Sequence, residues 1–76
     1  MMKIQVNGEV RVLPDPATSS PVTLLALIES LNMKPDRVAV ELNRDIVPRT
    51  LWLQTELKDG DRLEIVHFVG GGSFTL

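Results

Sequence analysis

A chain of 76 residues has room for one small domain, and 43% hydrophobic residues spread along it favour a fold over disorder. The net charge is −2, and the only aromatics are Trp52, Phe68 and Phe74, so nucleic acid would find neither a basic stripe nor a stacking platform. The absence of cysteine excludes disulfides, iron–sulfur ligation, thiolate zinc sites and a cysteine nucleophile. No apolar run could span a bilayer, and Met-Met-Lys-Ile-Gln does not read as a signal peptide; the expectation is a cytoplasmic protein without membrane contact.

Lys3-Ile-Gln-Val6 alternates polar and apolar residues, the period of a half-buried strand. Asn7-Gly8 is a strong hairpin signal, and Glu9-Val-Arg-Val-Leu13 alternates again. This predicts an N-terminal β-hairpin that buries Ile4, Val6, Val10 and Val12. Pro14 to Pro21 reads as a loop. Leu24, Leu27, Ile28 and Leu31 then fall at helical spacing. Thr23 can cap this helix, or Ser20 can, with Pro21 at the first helical position. The helix should end near Asn32, before Pro35.

Arg37-Val-Ala-Val-Glu-Leu-Asn43 predicts a third strand with Val38, Val40 and Leu42 facing the core. Asn43-Arg44-Asp45 reads as a turn and Ile46-Val47 as a short extended piece. Pro48 opens a short helical turn through Trp52, which is expected to pack against the rim of the core. Asp59-Gly60 turns the chain again. Arg62-Leu-Glu-Ile-Val-His-Phe68 predicts the last strand, with Leu63 and Ile65 inward and Glu64, Val66 and Phe68 outward.

The order is β-β-α-β, a helical turn, then β. It predicts an α+β fold of the β-grasp kind, a mixed sheet of four to five strands with one main helix packed on one face. The last strand should lie inside the sheet, beside the first. Residues 1–69 would form the domain and 70–76 a flexible glycine-rich tail.

Inside the domain the sequence offers no catalytic constellation. His67 is the sole histidine, with no nucleophile near it in sequence, and reads as a surface or packing residue. Asp59 and Asp61 flank a turn glycine, which is ordinary turn chemistry. Lys58, Arg62 and Glu64 read as a solvated face. Gly70-Gly71-Gly72 precedes no helix that could aim amides at a phosphate. No metal site and no bound cofactor are expected.

Glycine lacks Cβ, so a glycine run leaving a strand is thin and conformationally free. It could be a linker or a frayed end, or it could thread a narrow channel in a partner. Two features favour threading. The run follows an apolar strand directly, and the outward residues nearest to it, Val66 and Phe68, are apolar and suited to anchoring a partner.

The stretch Val38 to Gly72, "VAVELNRDIVPRTLWLQTELKDGDRLEIVHFVGGG", resembles the ThiS family, the ubiquitin-like sulfur carriers of thiamin thiazole biosynthesis. The features that carry the resemblance are the "VAVELN" strand, the "IVPR" step with Trp52 three residues after Arg49, the "DGD" turn and the terminal "EIVHFVGGG". The "VNGE" hairpin and "TLLALIESL" helix resemble the family more loosely.

The resemblance implies a protein co-substrate with no active site of its own. Gly72 would be the point of covalent attachment, with Gly70 and Gly71 threading into the partner and Val66 and Phe68 docking against it. A ThiF-type adenylyltransferase would use ATP and Mg²⁺ to adenylate the Gly72 carboxylate. A sulfur donor, ultimately a cysteine desulfurase persulfide, would displace AMP to leave a thiocarboxylate. Thiazole synthase (ThiG) would take that sulfur. Absence of cysteine agrees, because sulfur cannot then ride on a side chain. The free carrier is expected to be a monomer.

One feature departs from the family pattern. Ser73-Phe74-Thr75-Leu76 follows the glycines, which locks the Gly72 carbonyl in a peptide bond. A protease that cuts after Gly72 would expose the carboxylate. Two alternatives differ in function. One is a carrier like the small subunit of molybdopterin synthase, and the other is a non-catalytic β-grasp interaction module that keeps its tail.

Overall fold

The computed structural model describes residues 1–15, 17–69 and 73–74, with backbone alone for Phe68, Val69, Ser73 and Phe74. The described residues form six strands and one α-helix: β1 (Met2–Val6), β2 (Glu9–Leu13), α1 (Leu24–Ser30), β3 (Val38–Leu42), β4 (Asp45–Ile46), β5 (Arg62–Val69) and β6 (Ser73–Phe74). Short 3₁₀ turns occupy Pro35–Arg37 and Arg49–Leu51.

The strands order as β2-β1-β5-β3-β4, and β6 pairs with β5 off this path. Among the described strands, β1 pairs with β5 in parallel and the other pairings are antiparallel. The last long strand therefore lies in the sheet interior beside the first, as the sequence predicts.

The helix starts where sequence chemistry places it. Thr23 is extended (φ −84°, ψ 159°), and its Oγ1 accepts a hydrogen bond from the Ala26 amide at 3.1 Å. At the other end Asn32 adopts φ 59°, the left-handed conformation that stops a helix. The Asn32 amide donates to Glu29 O at 3.0 Å and the Met33 amide to Ile28 O at 3.3 Å, which satisfies two terminal carbonyls. Leu24, Leu27 and Ile28 point into the core.

The core joins Met2, Ile4 and Val6 of β1, Leu24, Leu27 and Ile28 of α1, Val38 and Val40 of β3, Leu63 and Ile65 of β5, and two loop residues, Trp52 and Leu57. Among the described residues, every core member lies in the span from Met2 to Ile65.

Two expectations are corrected. Val10 and Val12 are 62% and 52% exposed, not buried. The reason is the hairpin register. Asn7 and Gly8 form a two-residue turn with φ 50° and 84°, which sets Val6 opposite Glu9. Val10 then faces Gln5, and Val12 faces Lys3. Directly opposed residues share a face, so both valines lie on the side away from the helix. Trp52 is 1% exposed and belongs to the core rather than its rim. Its Nε1–H donates to the Val47 carbonyl at 2.8 Å, which lets the indole be buried with its polar atom satisfied.

The segment that carries Trp52 and Leu57 is tied to the start of the helix. The Leu24 amide donates to Thr55 O at 2.8 Å and the Leu57 amide to Val22 O at 2.9 Å. A segment without periodic patterning thus closes one end of the core.

Candidate functional site: the C-terminal stem

β5 is the element from which the glycines leave, and its neighbours hold it unevenly. β1 pairs with its beginning, Gln5 opposite Arg62 and Val6 opposite Leu63. β3 runs along most of it, from Leu42 opposite Leu63 to Val38 opposite His67. Phe68 and Val69 extend past both, and among the described residues β6 alone pairs with them.

Two turn asparagines fix the stem by substituting side-chain amides for backbone. Asn7 sits in the left-handed conformation, so its side chain swings beside β5. Its Oδ1 accepts from the Ile65 amide at 2.7 Å, its Nδ2 donates to Ile65 O at 3.3 Å, and its own amide donates to Leu63 O at 2.9 Å. Asn43 does the same from the β3–β4 turn. Its Oδ1 accepts from the Arg62 amide at 3.0 Å, and its amide donates to Arg62 O at 2.8 Å. A primary amide offers one acceptor and two donors, so it can continue a strand ladder.

Asp61 completes the anchor at the base. It is a buried acid, 9% exposed. Its Oδ1 accepts from Asn43 Nδ2 at 3.0 Å and its Oδ2 from the Lys58 amide at 2.7 Å. Asp59 Oδ1 accepts from the Lys3 amide at 2.8 Å, and the Gly60 amide donates to Lys3 O at 2.7 Å. Gly60 has φ 88°, a value that side chains rarely adopt. The Asp59-Gly60-Asp61 turn therefore fastens β1 and β5 together, a structural role.

The sheet face opposite the helix is open. Alternation along the strands places Lys3, Gln5, Val10 and Val12 there, with Arg62, Glu64 and Val66 of β5, and Ala39 and Glu41 of β3. Val66 is half-buried opposite Ala39, so the stem carries an apolar spot just before its end. Glu41 and Glu64 face each other in the same surface and are both exposed.

The predicted site residues are placed as follows. Val66 lies on the open face. Phe68 lies in β5, and its side chain is outside the description. Gly70, Gly71 and Gly72 lie outside the described residues. Ser73 and Phe74, within the stretch expected to be a flexible tail, form β6. His67 is exposed opposite Val38. Among the described residues no three His, Asp or Glu side chains gather as metal ligands. Among them also, no helix is long and apolar enough to cross a membrane. Sequence reading missed Asn7 and Asn43 as clamps, although both stand where a two-residue turn demands a left-handed residue.

The ThiS family model matches residues 4–72. The chain belongs to the ThiS family. The match begins within β1 and stops at the third glycine. A thiazole synthase of Paramagnetospirillum magneticum is 44% identical over 72 residues, 95% of this chain but 21% of that protein. The chain thus spans about a fifth of that relative's length. The sulfur carrier protein ThiS of Bacillus subtilis is 42% identical over 70 residues, 91% of this chain and 98% of that one. Among solved structures, the crystal structure of the thiamine biosynthesis protein ThiS from Geobacter metallireducens superposes with a TM-score of 0.75 at 30% identity, covering 92% of this chain and 99% of that one. The β-grasp fold is shared with that ThiS structure.

Proposed function

We propose that this ThiS-family chain carries sulfur for the thiazole of thiamin, as a protein co-substrate without an active site of its own. The observation that carries this reading is the family match, which ends on Gly72. The ThiS carrier of Bacillus subtilis, matched over nearly its full length, supports it.

The reacting group is the Gly72 carboxylate, freed when a protease removes Ser73 to Leu76. A ThiF-type adenylyltransferase binds the carrier and ATP with Mg²⁺. The carboxylate oxygen attacks the α-phosphorus, and pyrophosphate leaves. The resulting acyl-adenylate is electrophilic at carbon because AMP is a good leaving group. A persulfide sulfur, drawn ultimately from a cysteine desulfurase, attacks that carbon and expels AMP. A thiol then cleaves the acyl disulfide and leaves the thiocarboxylate. Thiazole synthase takes the sulfur, a partner suggested by the match to part of a protein of that name.

In this reading the domain supplies position rather than chemistry. The amide clamps hold β5 at Arg62 and Ile65. Glycines 70 to 72 are narrow enough for an enclosed site, and Val66 offers an apolar contact at its mouth. Phe68 is the second docking residue of the proposal.

The test is ATP-dependent adenylation by a ThiF-type enzyme of the full-length chain and of a chain ending at Gly72. The shorter chain keeps every core residue found among the described residues, the last of which is Ile65. Adenylation of the shorter form alone is expected. Adenylation of neither form would refute the reading.

A further inference from the structure

β5 is longer than either neighbour that holds it. Pairing with β3 stops at His67, pairing with β1 stops at Leu63, and the Asn7 side chain closes the β1 side at Ile65. Phe68 and Val69 then carry the strand onward without either partner. Such a strand end presents unpaired amides and carbonyls, a template on which another extended backbone can add. In this chain β6 takes it up: Phe74 lies opposite Phe68 and Ser73 opposite Val69, antiparallel.

The pairing has a consequence for the proposed chemistry. The residues that occupy the strand end are the ones that follow Gly72. While they remain, the end of the stem is filled by the chain itself. Once they are removed, the same positions are open immediately before the glycines, where a partner must grip.

We propose that Phe68–Val69 is a strand-docking edge that an extended segment of the carboxylate-activating enzyme pairs with, and that β6 covers this edge in the uncut chain. The inference rests on the sulfur-carrier reading. It adds a second effect of the extension: besides blocking the Gly72 carboxyl, Ser73 and Phe74 compete with the enzyme for backbone hydrogen bonds. A two-residue strand is weak cover. About one net hydrogen bond separates covered from open, which corresponds to about a fivefold difference in affinity.

The experiment compares three forms: the full chain, the full chain with Ser73→Pro and Phe74→Pro, and the chain ending at Gly72. Proline removes the amide donors needed for pairing but keeps the extension. Binding to a ThiF-type adenylyltransferase is read in the absence of ATP, so no adenylation of any form contributes to the signal. The double variant is expected to bind about fivefold tighter than the full chain. Amide exchange, read without the enzyme, should show Phe68 and Val69 less protected in the double variant and in the short chain than in the full chain.

Equal binding by the full chain and the double variant would overturn the inference. Equal exchange at Phe68 and Val69 in all three forms would overturn it independently. Adenylation of the Gly72-terminated form separates the two levels. If it occurs while the proline variant changes nothing, the carrier reading stands and the docking edge falls. If no form binds or reacts, both fall.

Discussion

Replacing Asn7 tests whether side-chain amides hold the stem. Two bonds to Ile65 depend on it, at 2.7 and 3.3 Å, both part-buried. Each contributes about 0.5–1.5 kcal/mol net, so their loss should cost about 1–3 kcal/mol. Asn7 also holds φ 50°. Glycine accepts that conformation freely, whereas alanine incurs about 1 kcal/mol more. Asn7→Gly therefore isolates the hydrogen bonds, and Asn7→Ala adds the backbone penalty. Urea unfolding should show midpoints falling in the order wild type, Asn7→Gly, Asn7→Ala, with unchanged slope. For a domain whose total stability is about 5 kcal/mol, the shifts would be large. Amide exchange should locate the opening at Ile65. A midpoint for Asn7→Gly indistinguishable from wild type would refute the clamp, because glycine leaves the turn intact.

Arg44 holds φ 74° in the second turn, so Arg44→Gly should stabilise by about 1 kcal/mol in the same urea assay. Val10→Thr combined with Val12→Thr should change stability by less than about 0.5 kcal/mol per site, since both valines are exposed; a loss of several kcal/mol would mean that they are core. In the chain ending at Gly72, Gly71→Ala or Gly72→Ala should slow adenylation without moving the thermal midpoint, and normal kinetics in both would remove the need for a narrow tail.

Much of the fold can be read from the sequence because local signals agree with the packing. Thr23 caps the helix and Leu24, Leu27 and Ile28 line its buried stripe. The alternation in Val38–Leu42 and Arg62–Ile65 gives the central strands. The second strand shows where alternation alone fails. Val10 and Val12 alternate as well as Ile4 and Val6 do, but parity across a two-residue turn assigns them to the other face. That rule lies in Asn7-Gly8 and outranks the apolar count. Trp52 and Leu57 sit in a segment with no period, so only tertiary contacts reveal that they close the core. At the site, Gly72 and its extension are legible as sequence. The clamp is not, because Asn7 and Asn43 read as turn residues until the left-handed backbone turns their amides onto β5.

The central claim is the proposal that Gly72 is the working end of a sulfur carrier. Intact mass of the protein isolated from its own cells tests it most directly. The expected result is a chain lacking Ser73 to Leu76, part of it with one oxygen of the terminal carboxylate replaced by sulfur. A population that carries Leu76 throughout, with no sulfur added, would contradict the claim and leave a ThiS-family domain that acts by binding alone.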